Sequence, residues 1–257
     1  MSTALLPKIQ FVIGGAQKAG TSALAHYLSF HSDLRLPFNK EAHIFDAPHF
    51  DEGRSICDIN SEYEAHFSAP WAEGVLYGDA TPIYMLHPVF VRRVAAYNPA
   101  MRWIVILRDP VERALSQYYM ERSRGFEPLP FWKALLAERG RLKGRGDDFS
   151  AGSSLRVHSY RLRGQYSCQL DCIRDNFPEE QLLILRNPDL SMKPGVVVNA
   201  VCDFLGVSRL PDQHSYPRVF EGGYRRRDKS SLRLRLIRAW WWREYARQAR
   251  QGIHWER

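Results

Sequence analysis

The sequence predicts an α/β fold: a single domain with a central parallel sheet, helices on both faces and a P-loop-like nucleotide-binding turn. Three observations carry that prediction. Short, continuous apolar runs alternate along the chain with segments of helical period. The runs are apolar at successive positions, which suits strands buried on both faces of a parallel sheet. The first run ends in a glycine-rich turn that opens a helix.

The elements follow in order. Ile9–Ile13 reads as a buried strand meeting the Gly14-Gly15 turn. A helix capped by Thr21 or Ser22 runs to about His31, with Leu24, Tyr27 and Leu28 facing inward. Val75–Tyr77 is a second strand, and Pro88–Tyr97 a helix with proline in its first turn. Trp103–Leu107 is a third strand, after which Asp109-Pro110 starts a helix to about Arg122. Phe131–Arg139 is helical, and Gly140–Ser154, rich in glycine, serine and charge, reads as a mobile surface loop. A helix over Tyr160–Asn176 stops at Pro178, Leu182–Leu185 is a fourth strand, and Val196–Leu205 is a helix ended by Gly206. A basic amphipathic helix is expected at about 230–251. With 257 residues, no internal repeat and no separating linker, a single domain over 1–257 is expected.

A hydrophobic content of 45% excludes a disordered chain, and four cysteines cannot frame a disulfide-rich mini-domain. Cys57, Cys168, Cys172 and Cys202 read as reduced thiols, and the first ten residues do not form a signal peptide, so a cytoplasmic location is expected. The net charge of +8 first suggests a polyanion partner. Its distribution says otherwise: residues 1–217 hold 24 basic and 24 acidic side chains, while residues 218–257 hold 12 basic and 4 acidic. The neutral body, without a platform of stacking aromatics, argues against nucleic acid.

Gly15-Ala-Gln-Lys-Ala-Gly20-Thr21-Ser22 is close to the phosphate-binding pattern G-x-x-x-x-G-K-[ST]. Thr21 stands where the lysine belongs, and Lys18 lies inside the loop. Such a turn presents backbone N–H groups to a phosphate at a helix N-terminus. A nucleotide hydrolase needs the displaced lysine and a metal-holding acid. Here the third strand ends Leu107-Arg108-Asp109, and an arginine before the acid suits an extra phosphate better than a metal. The nine histidines show no metal-ligand spacing, so no metal is expected.

Four segments then stand in a telling order: GGAQKAGTSAL (14–24), FNKEAHIFD (38–46), GDATPIYM (78–85) and WIVILRDPVERALSQYY (103–119). With RLRGQY (161–166), Phe204 to Val207 and Gly222 to Arg225, they make the chain resemble the sulfotransferases that use 3′-phosphoadenosine 5′-phosphosulfate, especially the heparan-sulfate-type branch and its bacterial relatives. The resemblance spans residue 9 to about 235.

The resemblance implies roles. Gly15, Gln17, Lys18, Ala19, Gly20, Thr21, Ser22 and Ala23 hold the donor's 5′-phosphosulfate. Arg108 and Ser116 clamp its 3′-phosphate. Tyr166 and the basic turn Tyr224, Arg225, Arg226 and Arg227 close over the nucleotide. Asp79, Thr81 and Tyr84 belong to the acceptor-side segment. Glu41 matches the catalytic glutamate and is the first choice as base; His43 is the second, or orients Glu41 or the acceptor. Lys18 stabilises charge on the leaving oxygen in an in-line displacement.

Two departures are visible. Heparan-type animal members carry a lysine where Ala80 stands, and Lys-Gly-Arg where Arg225-Arg226-Arg227 stands. The acceptor expected first is a carbohydrate hydroxyl or amine, on a glycan or small molecule, with a lipid or secondary-metabolite alcohol second. Two other classes stay open: a P-loop kinase or NTPase, and a nucleic-acid-binding module built on the basic tail. The Trp- and Arg-rich tail either packs on the domain, touches an anionic membrane peripherally, or meets an acidic acceptor or another copy.

Overall fold

The computed structural model describes residues 6–211, 215–217 and 232–255. Tyr224, Arg225, Arg226 and Arg227, expected to close over a nucleotide, lie outside the described residues, as does the start of the predicted tail helix. In chain order the elements are β1 (Ile9–Gly15), α1 (Thr21–Leu28), β2 (Leu34–Arg35), α2 (Ile56–Glu64), β3 (Leu76–Asp79), α3 (Pro88–Tyr97), β4 (Arg102–Leu107) and α4 (Pro110–Ser123). They continue with α5 (Phe131–Leu142), α6 (Ser154–Val157), α7 (Tyr166–Arg174), β5 (Leu182–Arg186), α8 (Asn187–Met192), α9 (Pro194–Leu205), α10 (Leu232–Trp240) and α11 (Trp242–Arg250). The chain packs as two compact units, Met1–Leu107 with Cys172–Phe220, and Arg108–Asp171 with Glu221–Arg257.

The first unit holds the predicted α/β fold, a five-stranded sheet in the order β2-β3-β1-β4-β5 with every pairing parallel. Its middle strands are apolar on both faces for the reason the sequence implies: Phe11, Val12, Ile13 and Trp103 through Leu107 are all fully buried. Later strands add on both sides of β1, so its C-terminal end is a point where loops diverge and a ligand fits. Three elements of this unit, β2, α2 and α8, carry no strong periodic signal and were not anticipated. β2 is only two residues long. The helix α2 starts from a capping box in which the Ser55 hydroxyl accepts from the Asp58 N–H (3.2 Å) and Asp58 accepts from the Ser55 N–H (3.0 Å).

The second unit is helical. Val111, Ala114 and Tyr118 of α4, Ala134 and Leu135 of α5, Tyr160, Leu234 of α10 and Trp241 form one apolar cluster. Three helix boundaries differ from the sequence reading. The helix α5 runs through Gly140 to Leu142, its last turn pinned by Arg141 on Glu127 (3.1 Å). The helix α7 begins at Tyr166 rather than Tyr160, because Glu138 accepts the backbone N–H groups of Arg161 (2.7 Å) and Leu162 (2.9 Å) and turns that segment separately. The tail helix is broken at Trp241, whose N–H is shared between the carbonyls of Ile237 and Arg238 as its ring enters the cluster. The four cysteines are free thiols.

Candidate active site

The end of β1 leads straight into the glycine-rich turn. The Ala16 N–H donates to Ile106 O (2.8 Å), extending the β1–β4 pairing one residue beyond the strand. Gly15 and Gly20 are there for space and backbone shape. A Cβ on Gly15 would sit 1.7 Å from Met85 Sδ. Gly20 has φ of 108° and caps α1 without a side-chain hydrogen bond, in place of the expected Thr21 or Ser22 cap. Leu24 is the first α1 residue whose N–H finds a helical acceptor, Gly20 O at 3.1 Å. The amides of Thr21, Ser22 and Ala23 therefore open toward the turn, the arrangement that binds an anion. Lys18 stands inside the turn with φ of 69°, a left-handed backbone that favours glycine. Asn187, at the start of α8, donates from Nδ2 to Ala19 O (2.8 Å) and holds the turn from the far side of the sequence.

Beside it lies the segment Lys40 to Asp46, with Lys40 (φ 68°) and His43 (φ 58°) also left-handed. Asp79, at the end of β3, fixes this segment. It is fully buried and accepts from the Ala42 N–H (3.2 Å), Thr81 Oγ1 (2.6 Å), Tyr63 Oη (2.9 Å) and Tyr84 Oη (2.7 Å). Burial pushes its carboxyl up, and these donors pull it back. Tyr84 Oη also accepts from the Ile44 N–H (3.1 Å), and Thr81 Oγ1 from the His43 N–H (3.3 Å). Asp79, Thr81 and Tyr84 thus brace the backbone that carries Glu41 and His43.

Glu41 sits between two cations. Lys40 Nζ is 2.6 Å from Oε1 and 3.4 Å from Thr21 Oγ1. His43 Nε2 is 3.2 Å from Glu41 Oε2, and its Nδ1 is 3.0 Å from Asp46 Oδ2. Partial burial works against charge on both groups, yet the pairing wins. Glu41 is held below the usual carboxylate range by His43 and Lys40. Hydrogen bonds to Asp46 and Glu41 push His43 up to about 10. At neutral pH His43 is therefore an imidazolium beside the Glu41 carboxylate, and an imidazolium has no lone pair with which to act as base.

In the second unit Arg108 directly follows β4 and reaches Glu112 Oε2 (3.3 Å). Arg238 of α10 also reaches Glu112 (3.7 Å) and Asp109 (3.4 Å). Ser116 is buried on α4. Tyr166 is fully buried and donates to Arg108 O (2.8 Å), bracing the backbone there.

Residues 8–217 match the sulfotransferase domain family. The chain belongs to the sulfotransferase family. Among its relatives, mouse heparan sulfate glucosamine 3-O-sulfotransferase 6 (Mus musculus) is 30% identical over 214 residues, covering 83% of this chain and 57% of that protein. Human heparan sulfate glucosamine 3-O-sulfotransferase 3B1 (Homo sapiens) is 28% identical over 208 residues, covering 80% and 48%. The chain thus spans about half the length of the curated relatives it matches. A crystal structure of a sulfotransferase from Alicyclobacillus acidocaldarius superposes with a TM-score of 0.74 at 29% identity, over 96% of this chain and 97% of that one.

Within this sulfotransferase-family chain, the structure brings Thr21 of the turn and Glu41 together through one lysine that sequence reasoning passed over. Lys40 was visible as the neighbour of Glu41, and Asp46 lay in the same segment. Asn187 and Tyr63 gave no local signal, since their partners stand far away in sequence.

Proposed function

We propose that this chain transfers a sulfuryl group from 3′-phosphoadenosine 5′-phosphosulfate to a carbohydrate hydroxyl. The observation that carries the reading is the Lys40 ammonium, shared between Thr21 Oγ1 at the anion-binding turn and Glu41 Oε1. A carboxylate base and an anion cradle one ammonium apart suit transfer of a charged group onto a neutral hydroxyl. The donor residues fit: open amides at a helix end with no side-chain cap, with Lys18 in the turn, suit the 5′-phosphosulfate. The bound donor supplies the activated sulfuryl group, which carries less negative charge than a phosphoryl group. Arg108 and Ser116 are assigned the 3′-phosphate, for which Arg108 exchanges its Glu112 partner.

The chain's own residues do the rest. Lys18 places positive charge by the leaving oxygen. Movement of Lys40 toward Thr21 frees Glu41 Oε1 and raises its proton affinity. Glu41 then takes the acceptor's hydroxyl proton as the new oxygen–sulfur bond forms and the bridging one breaks. His43 stays on Oε2 and, anchored by Asp46, holds the carboxylate in place as a positioning residue. A carbohydrate acceptor is supported by the names of the relatives and by Phe38, exposed three residues before Glu41, whose ring can face a sugar. Ala80 is buried and uncharged, so the site lacks one cation for a highly anionic chain.

A thermal-shift comparison tests the donor. Adenosine 3′,5′-bisphosphate is expected to raise the melting temperature more than ATP with Mg²⁺ does, and Lys18→Ala to reduce that rise. Preference for ATP points to a kinase or NTPase instead.

A further inference from the structure

We propose that the second unit docks on an anionic phospholipid bilayer through the outward faces of α5, α10 and α11. The helix α5 turns Ala134, Leu135 and Glu138 inward and leaves Trp132, Lys133, Leu136 and Arg139 exposed. On α10 the cluster takes Leu234, while Leu232 (69% exposed), Leu236 and Trp240 repeat at four-residue spacing on the outside, with Arg233 and Arg235. The helix α11 adds Trp242 (60% exposed), Arg243, Arg247 and Arg250.

The acids of these helices are turned away. Glu138 is buried on the Arg161 and Leu162 amides, and Glu244 accepts from Ser167 Oγ (3.0 Å) and Gln248 Nε2 (2.8 Å). Among the described residues the exposed positions of α5, α10 and α11 therefore carry cations and apolar groups but no carboxylate.

Each exposed tryptophan carries a cation near its ring: Lys133 at 5.4 Å from Trp132, Arg161 at 4.1 Å from Trp240 and Arg243 at 5.6 Å from Trp242. Arg161 also joins the helices, its N–H on Glu138 of α5 and its guanidinium on Trp240 of α10. Indole and arginine together suit the headgroup layer, where the ring enters the acyl boundary and the guanidinium meets phosphate. A soluble polyanion would satisfy the arginines but leave the Trp and Leu row uncovered. No described helix is long and apolar enough to cross a membrane, so the helices lie on the surface.

The test is sedimentation of the full chain with vesicles of phosphatidylglycerol and phosphatidylcholine, against phosphatidylcholine alone. It needs no donor or acceptor, so its outcome is independent of the proposed transfer. Binding at least tenfold stronger to the anionic vesicles is expected, weakened by salt, with a blue shift of tryptophan emission. Trp240→Ser/Trp242→Ser should lower binding at least tenfold. Arg233→Glu/Arg235→Glu, at exposed positions, should do the same and decides the matter if the tryptophan variant fails to fold. The proposal is overturned by absence of vesicle binding, by Arg233→Glu/Arg235→Glu binding as tightly as the parent chain, or by retention on heparin without vesicle binding.

Discussion

Glu41 and His43 form a pair in which each sets the charge of the other. Replacing Glu41 by Gln removes the proposed proton acceptor while keeping shape, so turnover should fall by roughly 10² to 10⁴ with binding of adenosine 3′,5′-bisphosphate retained. Wild-type turnover in that variant would sink the assignment. Lys18→Ala should also cut turnover strongly without unfolding the chain. The pH dependence of His43 follows from its raised folded value of about 10 against the ordinary 6.5. Its pairing stabilises the fold fully below about 6.5, and that contribution disappears as pH rises through about 10. The melting temperatures of the parent chain and His43→Gln should therefore differ most at pH 6 and converge toward pH 10; a constant gap across that range would contradict the pairing. Lys18, Glu41 and Asp79 stood out in the sequence as candidates, through the segments that hold them. The burial of Asp79 under four donors, and hence its bracing geometry, was not readable, because it depends on Tyr63 arriving from α2 and on the turn that folds Tyr84 back.

Elements whose burial is dictated locally were the readable ones. The continuous apolar runs of β1 and β4 announce a two-sided parallel sheet, and Pro88, Pro110 and Gly206 mark helix ends that the structure keeps. Boundaries set by distant contacts were not readable. The α7 start depends on Glu138, and the break between α10 and α11 on the cluster that receives Trp241. Trp241→Ala should destabilise the second unit by about 3–5 kcal/mol, measured by denaturant unfolding of the full chain. Gly20→Ala tests the turn: a methyl at φ 108° would lie 2.9 Å from Asn187 Nδ2. Strain of about 1 kcal/mol or more and a weaker response to adenosine 3′,5′-bisphosphate are expected in a thermal-shift assay, whereas an unchanged response would show that the turn does not depend on that backbone.

Across the whole molecule, the +8 charge resolves into parts with different work. The neutral body carries Lys18, Lys40 and Arg108 at the sites proposed for catalysis and donor binding. In the tail, Arg238 is tied to Asp109 and Glu112, and Leu234 and Trp241 are packed inside. The other arginines of α10 and α11 stand outward with the exposed tryptophans. Sulfuryl transfer with Glu41 as base is the chemistry proposed for the neutral body. Its most direct test is transfer of labelled sulfate from 3′-phosphoadenosine 5′-phosphosulfate to a panel of glycans, lipids and small alcohols, read by mass spectrometry, with Glu41→Gln alongside. A sulfated carbohydrate product is expected from the parent chain and almost none from Glu41→Gln. No transfer to any acceptor by the folded, nucleotide-binding chain, or equal product from both proteins, would contradict it.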